Sequence, residues 1–259
     1  MITRIGIGRT GVGRIFLASL LQFLFRYRRT ALGPLWLLIG PSLFIALLGL
    51  LYSEISSIEP RVFIPHLAVG LVLWTLFQSF VTGSATVFQR GRAQIMQGAQ
   101  TTREIVATDV VTTFLSFLHQ VPIIIAVFVI YRLQLSWTAL ESLIGLALIL
   151  ANGIWVTQVF GILGARYRDL AEIFQALMRI AFLATPIIWM PGEGGRDGLM
   201  GAFLVFNPFY HFIEIVRAPL LGNEIQALSW MIVLSVTVIG FVVARVMTRR
   251  YAHFIPLWI

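Results

Sequence analysis

Residues 62–89 read VFIPHLAVGLVLWTLFQSFVTGSATVFQ, a stretch with no formal charge, closed by Arg61 on one side and Arg90 on the other. A helix needs roughly 20 apolar residues to cross about 30 Å of hydrocarbon, so this stretch predicts a spanning helix with length to spare. The same pattern recurs outward in both directions. Charge-free stretches run 30–53, 110–131, 142–165 and 225–244, and a further apolar stretch, 173–192, is interrupted only by Arg179. The prediction is an all-α integral membrane protein with six transmembrane helices, at about 32–53, 62–89, 106–131, 138–165, 172–191 and 225–245.

Composition points the same way. Of 259 residues 58% are hydrophobic and 12% charged, and mean hydropathy is +0.89. One soluble core of this size could not hide so much apolar surface, which excludes a water-soluble enzyme, and the same figures exclude disorder. The chain has no cysteine, which removes disulfides, thiolate metal sites and thiol nucleophiles. All 19 basic residues are Arg. Without Lys there is no intact P-loop and no Schiff-base chemistry, so any ATP the system uses is bound by another chain.

Arginine placement predicts orientation. With the N-terminus inside, residues 1–31, 90–104, 166–172 and 245–259 are cytoplasmic and hold 14 Arg, whereas the outside pieces hold only Arg61, Arg132, Arg196 and Arg217. Both termini are therefore expected in the cytoplasm. The net charge of +8 reads as an insertion signal and not as a nucleic-acid site.

Two segments exceed plain connections. In 1–31, the apolar run Ile15 to Phe25 is too short to span, and Ser19, Gln22, Arg26 and Arg29 make one polar stripe at helical spacing. An amphipathic helix lying in the cytoplasmic interface is expected, entering the membrane at Gly33-Pro34; a signal peptide fits poorly because Arg26, Arg28 and Arg29 follow the apolar run. In 192–224, a glycine-rich start precedes an apolar stretch broken by Asn207-Pro208. The expectation is a re-entrant external hairpin between spans five and six, with a surface-folded loop as the alternative. Residues 249–259 are left as a cytoplasmic tail.

Some motifs are refused. Gly6-Ile-Gly8-Arg-Thr-Gly11 spells a dinucleotide fingerprint, but no strand can precede it and no acid follows before Glu54. His66, His119, His211 and His253 never fall at i, i+3 or i+4, so no metal is expected. Glu54 and Glu59 read as a short exposed loop.

Charge inside spans is costly and usually faces protein or water. Arg179, inside the fifth span, lines a hydrated path or else snorkels or pairs with a carboxylate. Asp109, one turn or so inside the third, is expected to pair with an Arg near the membrane edge. Trp36, Trp137, Trp189 and Trp230 fit an aromatic belt. Trp74 and Trp155 fall near mid-span, where they either meet a sugar ring or pack between helices. Gly161 and Ala165 allow close helix approach, and Pro41, Pro122 and Pro186 are expected to kink their spans.

Four motifs, in order, carry a resemblance. Phe25-Arg26-Tyr27-Arg28-Arg29-Thr30-Ala31-Leu32-Gly33-Pro34-Leu35-Trp36 resembles the R-Y-R-x-(S/T)-x-L-G-P-L-W motif of polysaccharide-exporting type-2 ABC transporter permeases. Arg166-Tyr167-Arg168-Asp169-Leu170 resembles that family's R-x-R-D-(I/L) turn, and Thr185-Pro186-Ile187-Ile188-Trp189 resembles its T-P-(I/V)-(I/V)-(W/Y) close of the fifth span. Asn207-Pro208-Phe209-Tyr210-His211, followed by Arg217-Ala218-Pro219-Leu220-Leu221-Gly222, resembles its external segment. Within the family the chain is more similar to the O-antigen permeases than to the capsule permeases.

The resemblance implies a non-catalytic permease subunit of the bacterial inner membrane. Two copies would form a conduit, and two copies of a cytoplasmic ATPase would hold the ATP and Mg; this chain would carry no cofactor. The cargo would be a lipid-linked glycan, usually on undecaprenyl diphosphate. Arg26, Arg28 and Arg29 would meet the diphosphate or simply anchor the inside-positive end. Trp74, Phe77, Trp155 and Phe160 would line the conduit. Residues 90–104, with Arg90, Arg92, Arg103 and Glu104, would couple to the ATPase, and Asn207, Pro208, Tyr210 and Arg217 would belong to the external gate. Rival readings keep an ABC exporter but change the cargo to teichoic acid or another amphiphile, or change the class to a secondary transporter or a polyprenyl-phosphate membrane enzyme.

Overall fold

The computed structural model describes residues 11–28, 30–55, 58–191 and 198–259. Among these residues there are helices and turns and no strand. In chain order the helices are α1 (Gly11–Tyr27), α2 (Trp36–Ile55), α3 (Pro60–Ser84), α4 (Val87–Arg90), α5 (Arg92–Met96), α6 (Thr102–Ile130), α7 (Glu141–Arg166), α8 (Leu170–Ala184), α9 (Gly198–Phe206), α10 (Pro208–Leu220), α11 (Ala227–Tyr251) and α12 (Ile255–Trp258). Single 3-10 turns, Gly33–Leu35, Trp137–Leu140 and Ala252–Phe254, lead into α2 and α7 and out of α11.

Among the described residues, five helical stretches are long and apolar enough to cross a bilayer: Gly33–Tyr52, Pro60–Ser84, Thr102–Ile130, Trp137–Arg166 and Ala227–Trp258. The expected sixth, at 172–191, is α8, which has only 15 residues. At 1.5 Å per residue it is about 22 Å long, short of the hydrocarbon thickness. Its end is local chemistry. Proline disfavours a helical residue before it, and Thr185, ahead of Pro186, is extended at φ −98°, ψ 134°. Pro186 thus terminates its helix, whereas Pro41 and Pro122 sit inside α2 and α6, which run on as helix past them.

The core is built around α3, which packs against α2, α6, α7, α8 and α10. Leu67, Ala68, Val69 and Val72 of α3 are fully buried. Lipid is as apolar as leucine, so close packing and not water exclusion holds such helices together. The small residues of α7 serve that purpose. A Cβ at Gly164 would fall on the Ala85 carbonyl just after α3, and one at Gly161 would meet Val87 and Phe88 of α4. Ala165 beside them is buried, as the spacing required. α2 and α11 lie at the outside of the bundle and leave most of their apolar side chains exposed.

The polar stripe of α1 divides along its length. Ser19 is fully buried and donates to the Thr108 carbonyl of α6 at 3.1 Å, whereas Gln22, which accepts from the Thr112 hydroxyl at 3.2 Å, and Arg26 are exposed. Phe16, Leu24 and Phe25 are exposed as well. Where the surroundings are apolar, polar side chains turn inward to find partners. The glycine pair Gly6 and Gly8, the residues 192–197 and Arg29 lie outside the described residues.

Candidate functional site

Where α3 begins and α8 stops, polar groups from three helices meet. Arg217 of α10 is 2% exposed. Its guanidinium forms an ion pair with Glu214, donates to the Pro186 carbonyl at 2.7 Å and reaches the His66 Nε2 at 3.0 Å. A guanidinium only donates, so toward Arg217 the His66 Nε2 accepts; the same nitrogen lies 3.1 Å from the Pro186 carbonyl. Asn207 adds a second tie. Its Oδ1 caps α10 by accepting from the Phe209 N–H at 3.0 Å, and its Nδ2 donates to the Thr185 hydroxyl at 2.9 Å. The Thr-Pro break of α8, the Asn-Pro start of α10 and the Arg-Ala-Pro end of α10 are therefore one structural unit. Pro208 supplies N1 of α10, where its missing N–H costs nothing. Tyr210 lies on this same first turn, ring to ring with His211 at 5.1 Å.

Along the bundle from this knot runs a groove between α2 and α8, floored by α3, with a volume of about 490 Å³. Trp74, Thr75, Gln78 and Arg179 line it. Gln78 and Ser79 are exposed and Thr75 and Thr82 half-buried, which sets a polar line along one edge of α3. Glu172, Gln175 and Arg179 are exposed along α8. The hydroxyls of Ser79 and Thr82 return to carbonyls one turn back, and Thr75 donates to Gln120 of α6 at 2.6 Å. The four α3 residues were missed in the sequence, although their spacing of three and four marks one helix face. Arg179 is exposed on the wall of this groove.

The expected conduit aromatics sit mainly behind this wall. Trp74 is 4% exposed and packs on Phe182 and Phe209, and Phe77 on Phe209 and Phe212. Phe77, Trp155 and Phe160 share one apolar cavity of about 280 Å³. Trp155 donates to Asn152 at 2.6 Å, and its ring covers Gly240 of α11, where any side chain would collide.

The opposite end holds the other expected residues. Asp109 is buried on α6 and pairs with Arg90 at 2.9 Å, and the same guanidinium donates to the Gly83 carbonyl at 2.8 Å. Arg90 thus staples α4 to the ends of α3 and α6. Glu104 caps α6 in a reciprocal capping box with Thr101 and lies 3.5 Å from Arg14. Arg92 and Arg103 are exposed, as are Arg26 and Arg28. Arg166 stacks on Trp258 at 5.4 Å, and α12 packs against α5 and α7 with Ile255 fully buried, so the expected tail 249–259 folds onto the bundle.

Residues 15–221 match the ABC-2 type transporter family. An O-antigen export system permease protein RfbA of Myxococcus xanthus is 25% identical over 194 residues, 74% of this chain and 74% of that protein. A protein of the same name from Klebsiella pneumoniae is 26% identical over 242 residues, 88% of this chain and 89% of that protein.

Proposed function

The chain belongs to the ABC-2 type transporter family, and from that premise we propose that it is the membrane permease subunit of an ATP-driven exporter of an O-antigen-type polysaccharide. The observation that carries the reading is the groove with Thr75, Gln78 and Arg179 in its wall, set in a bundle built to span a bilayer. Exposed polar side chains at membrane depth are unfavourable against lipid and favourable against a hydrated cargo. Relatives named as O-antigen export permeases support the cargo class.

In this reading both termini are cytoplasmic in a bacterial inner membrane. α8 with the extended segment after it makes a sixth passage, and α9 and α10 form a re-entrant outer gate. A second copy closes the groove into a conduit, with the aromatic cluster around Trp74 and Phe77 stiffening its wall and Trp155 and Phe160 behind. Two copies of an ATPase subunit dock at α4, α5 and the following loop, where Arg92 and Arg103 are exposed and Arg90 is fixed to Asp109. Nucleotide and Mg reside in that partner, and this chain performs no hydrolysis. Arg26, Arg28 and Arg29 offer donors to the diphosphate of an undecaprenyl-linked glycan.

ATP hydrolysis by the chain co-purified with its ATPase in nanodiscs tests the proposal. Stimulation by a lipid-linked glycan, and none by small amphiphiles, is the expected result. Nucleotide hydrolysis by this chain alone, or labelling of its two ends on opposite sides of the membrane, would overturn it.

A further inference from the structure

The knot around Arg217 also floors a cavity of about 510 Å³ between α10, the turn after it and α11. We propose that this cavity is a binding subsite for a single neutral sugar residue, an inference that rests on the polysaccharide reading above. Its volume lies within the range of about 300–1,000 Å³ typical of small-ligand sites. The lining is of two kinds: Tyr210 and Ile225 offer apolar surface, and Glu214, Asn223, Glu224 and Gln226 offer carboxylate and amide groups. A sugar ring has the matching character, with apolar C–H faces and a rim of hydroxyls that donate to carboxylates and exchange both roles with amides.

The polar groups are held in place before any ligand arrives. Gly222 turns the chain at φ +76°, a conformation glycine adopts without strain. The Asn223 N–H then closes onto the Ala218 carbonyl at 2.8 Å, which fixes the turn bearing Asn223, Glu224 and Gln226. Below them Arg217 is spent on Glu214 and the Pro186 carbonyl, and Ser229 is buried against His211 at 3.0 Å. Among the charged groups lining the cavity, Arg217 and Glu214 cancel and His66 accepts as a neutral ring, so Glu224 leaves one negative charge. A ligand carboxylate or phosphate would meet that charge with no free cation among the described residues lining the cavity to offset it. The subsite therefore selects neutral sugars over uronic acids and phosphorylated ones.

The test is a saturation-transfer NMR titration of the full-length chain, with its ATPase, in nanodiscs, using methyl α-glucoside and methyl α-glucuronide as probes. The neutral glycoside is expected to bind at least about tenfold more tightly than the glucuronide, and Glu224→Gln to shrink that ratio several-fold. Asn223→Ala with Gln226→Ala removes two exposed hydrogen-bonding groups and should weaken the neutral glycoside about fivefold, with the melting temperature unchanged. Equal binding of the two probes to the unaltered protein, or unchanged binding after the double substitution, would overturn the subsite. Glycan-stimulated ATP hydrolysis on the same samples separates the two claims. If stimulation persists and no sugar binds, the subsite falls and the export function stands. If sugar binds and stimulation is absent, the subsite stands and the export function falls.

Discussion

Two grooves of similar size flank α3. The one between α2 and α8 measures about 490 Å³ and includes Thr75, Gln78 and Arg179 in its wall. The one between α6 and α7 measures about 580 Å³ and is walled by residues such as Val69, Leu73, Phe117, Leu118, Ile125 and Val129, with Arg132 and Ser142 among its few polar residues. Volume does not separate them; chemistry does. A lipid tail satisfies nearly all of the second groove's wall, Arg132 and Ser142 aside, but would leave the Gln78 amide and the Arg179 guanidinium of the first facing hydrocarbon. One face of α3 is thus built toward hydrocarbon and the other toward something that forms hydrogen bonds.

The comparison can be broken most directly by filling each groove in turn. Gln78→Phe narrows the polar groove and should reduce export by roughly tenfold or more, as constrictions do in narrow pathways. Leu118→Phe in the apolar groove should leave export within about twofold, because lipid tails rearrange around added bulk. Equal losses in an export assay would erase the distinction. Charge gives the reciprocal experiment. Ile125→Arg places a cation against lipid and should disfavour insertion by about 3 kcal/mol, read as a fall in membrane-integrated protein, whereas Gln175→Arg on α8 should insert normally.

The walls differ in support as well. α6 and α7 are long helices that hold each other, but α8 stops early and is fixed at its end by Asn207. Asn207→Ala loses the cap of α10 and the bond to Thr185, a combined cost of roughly 2 kcal/mol, measurable as a lower melting temperature, with coupling to Thr185→Ala in a double-mutant cycle. The smallest effect belongs to a position remote from both grooves. Trp258→Phe keeps an aromatic ring against Tyr251 and Phe254 but weakens the stack with Arg166, and should cost about 0.5–1 kcal/mol, with export nearly unchanged.

The long helices were legible because charge is a reliable marker of where a span must stop: Arg61, Arg90, Arg132, Arg166 and Arg245 all fall near span ends. α8 was misread in length for the converse reason. Hydropathy continues past Thr185, and what stops the helix is the backbone preference imposed by Pro186, secured by a partner 22 residues away. The stripe of α1 shows a different limit. Gln22 and Arg26 stay exposed while Ser19 turns to the Thr108 carbonyl, and a sequence does not say whether a serine will meet water or a carbonyl. The polar line on α3 was visible at helical spacing, but uncharged residues in a span can satisfy themselves one turn back, as Ser79 and Thr82 do. Only the packing shows that this edge is left open. The pairing of Asp109 with an arginine near the membrane edge was anticipated, because a buried carboxylate has few other options.

The early stop of α8 bears on the host membrane. A wall of about 22 Å beside helices that run well beyond 30 Å is mismatched to an ordinary bilayer, and the lipid next to it must pinch inward or admit water. Such a local dimple lowers the barrier for a hydrophilic chain on that side of the molecule and on no other. Reconstitution into lipids of graded acyl length should then tune transport, with shorter tails favouring it until the longer helices are strained in their turn.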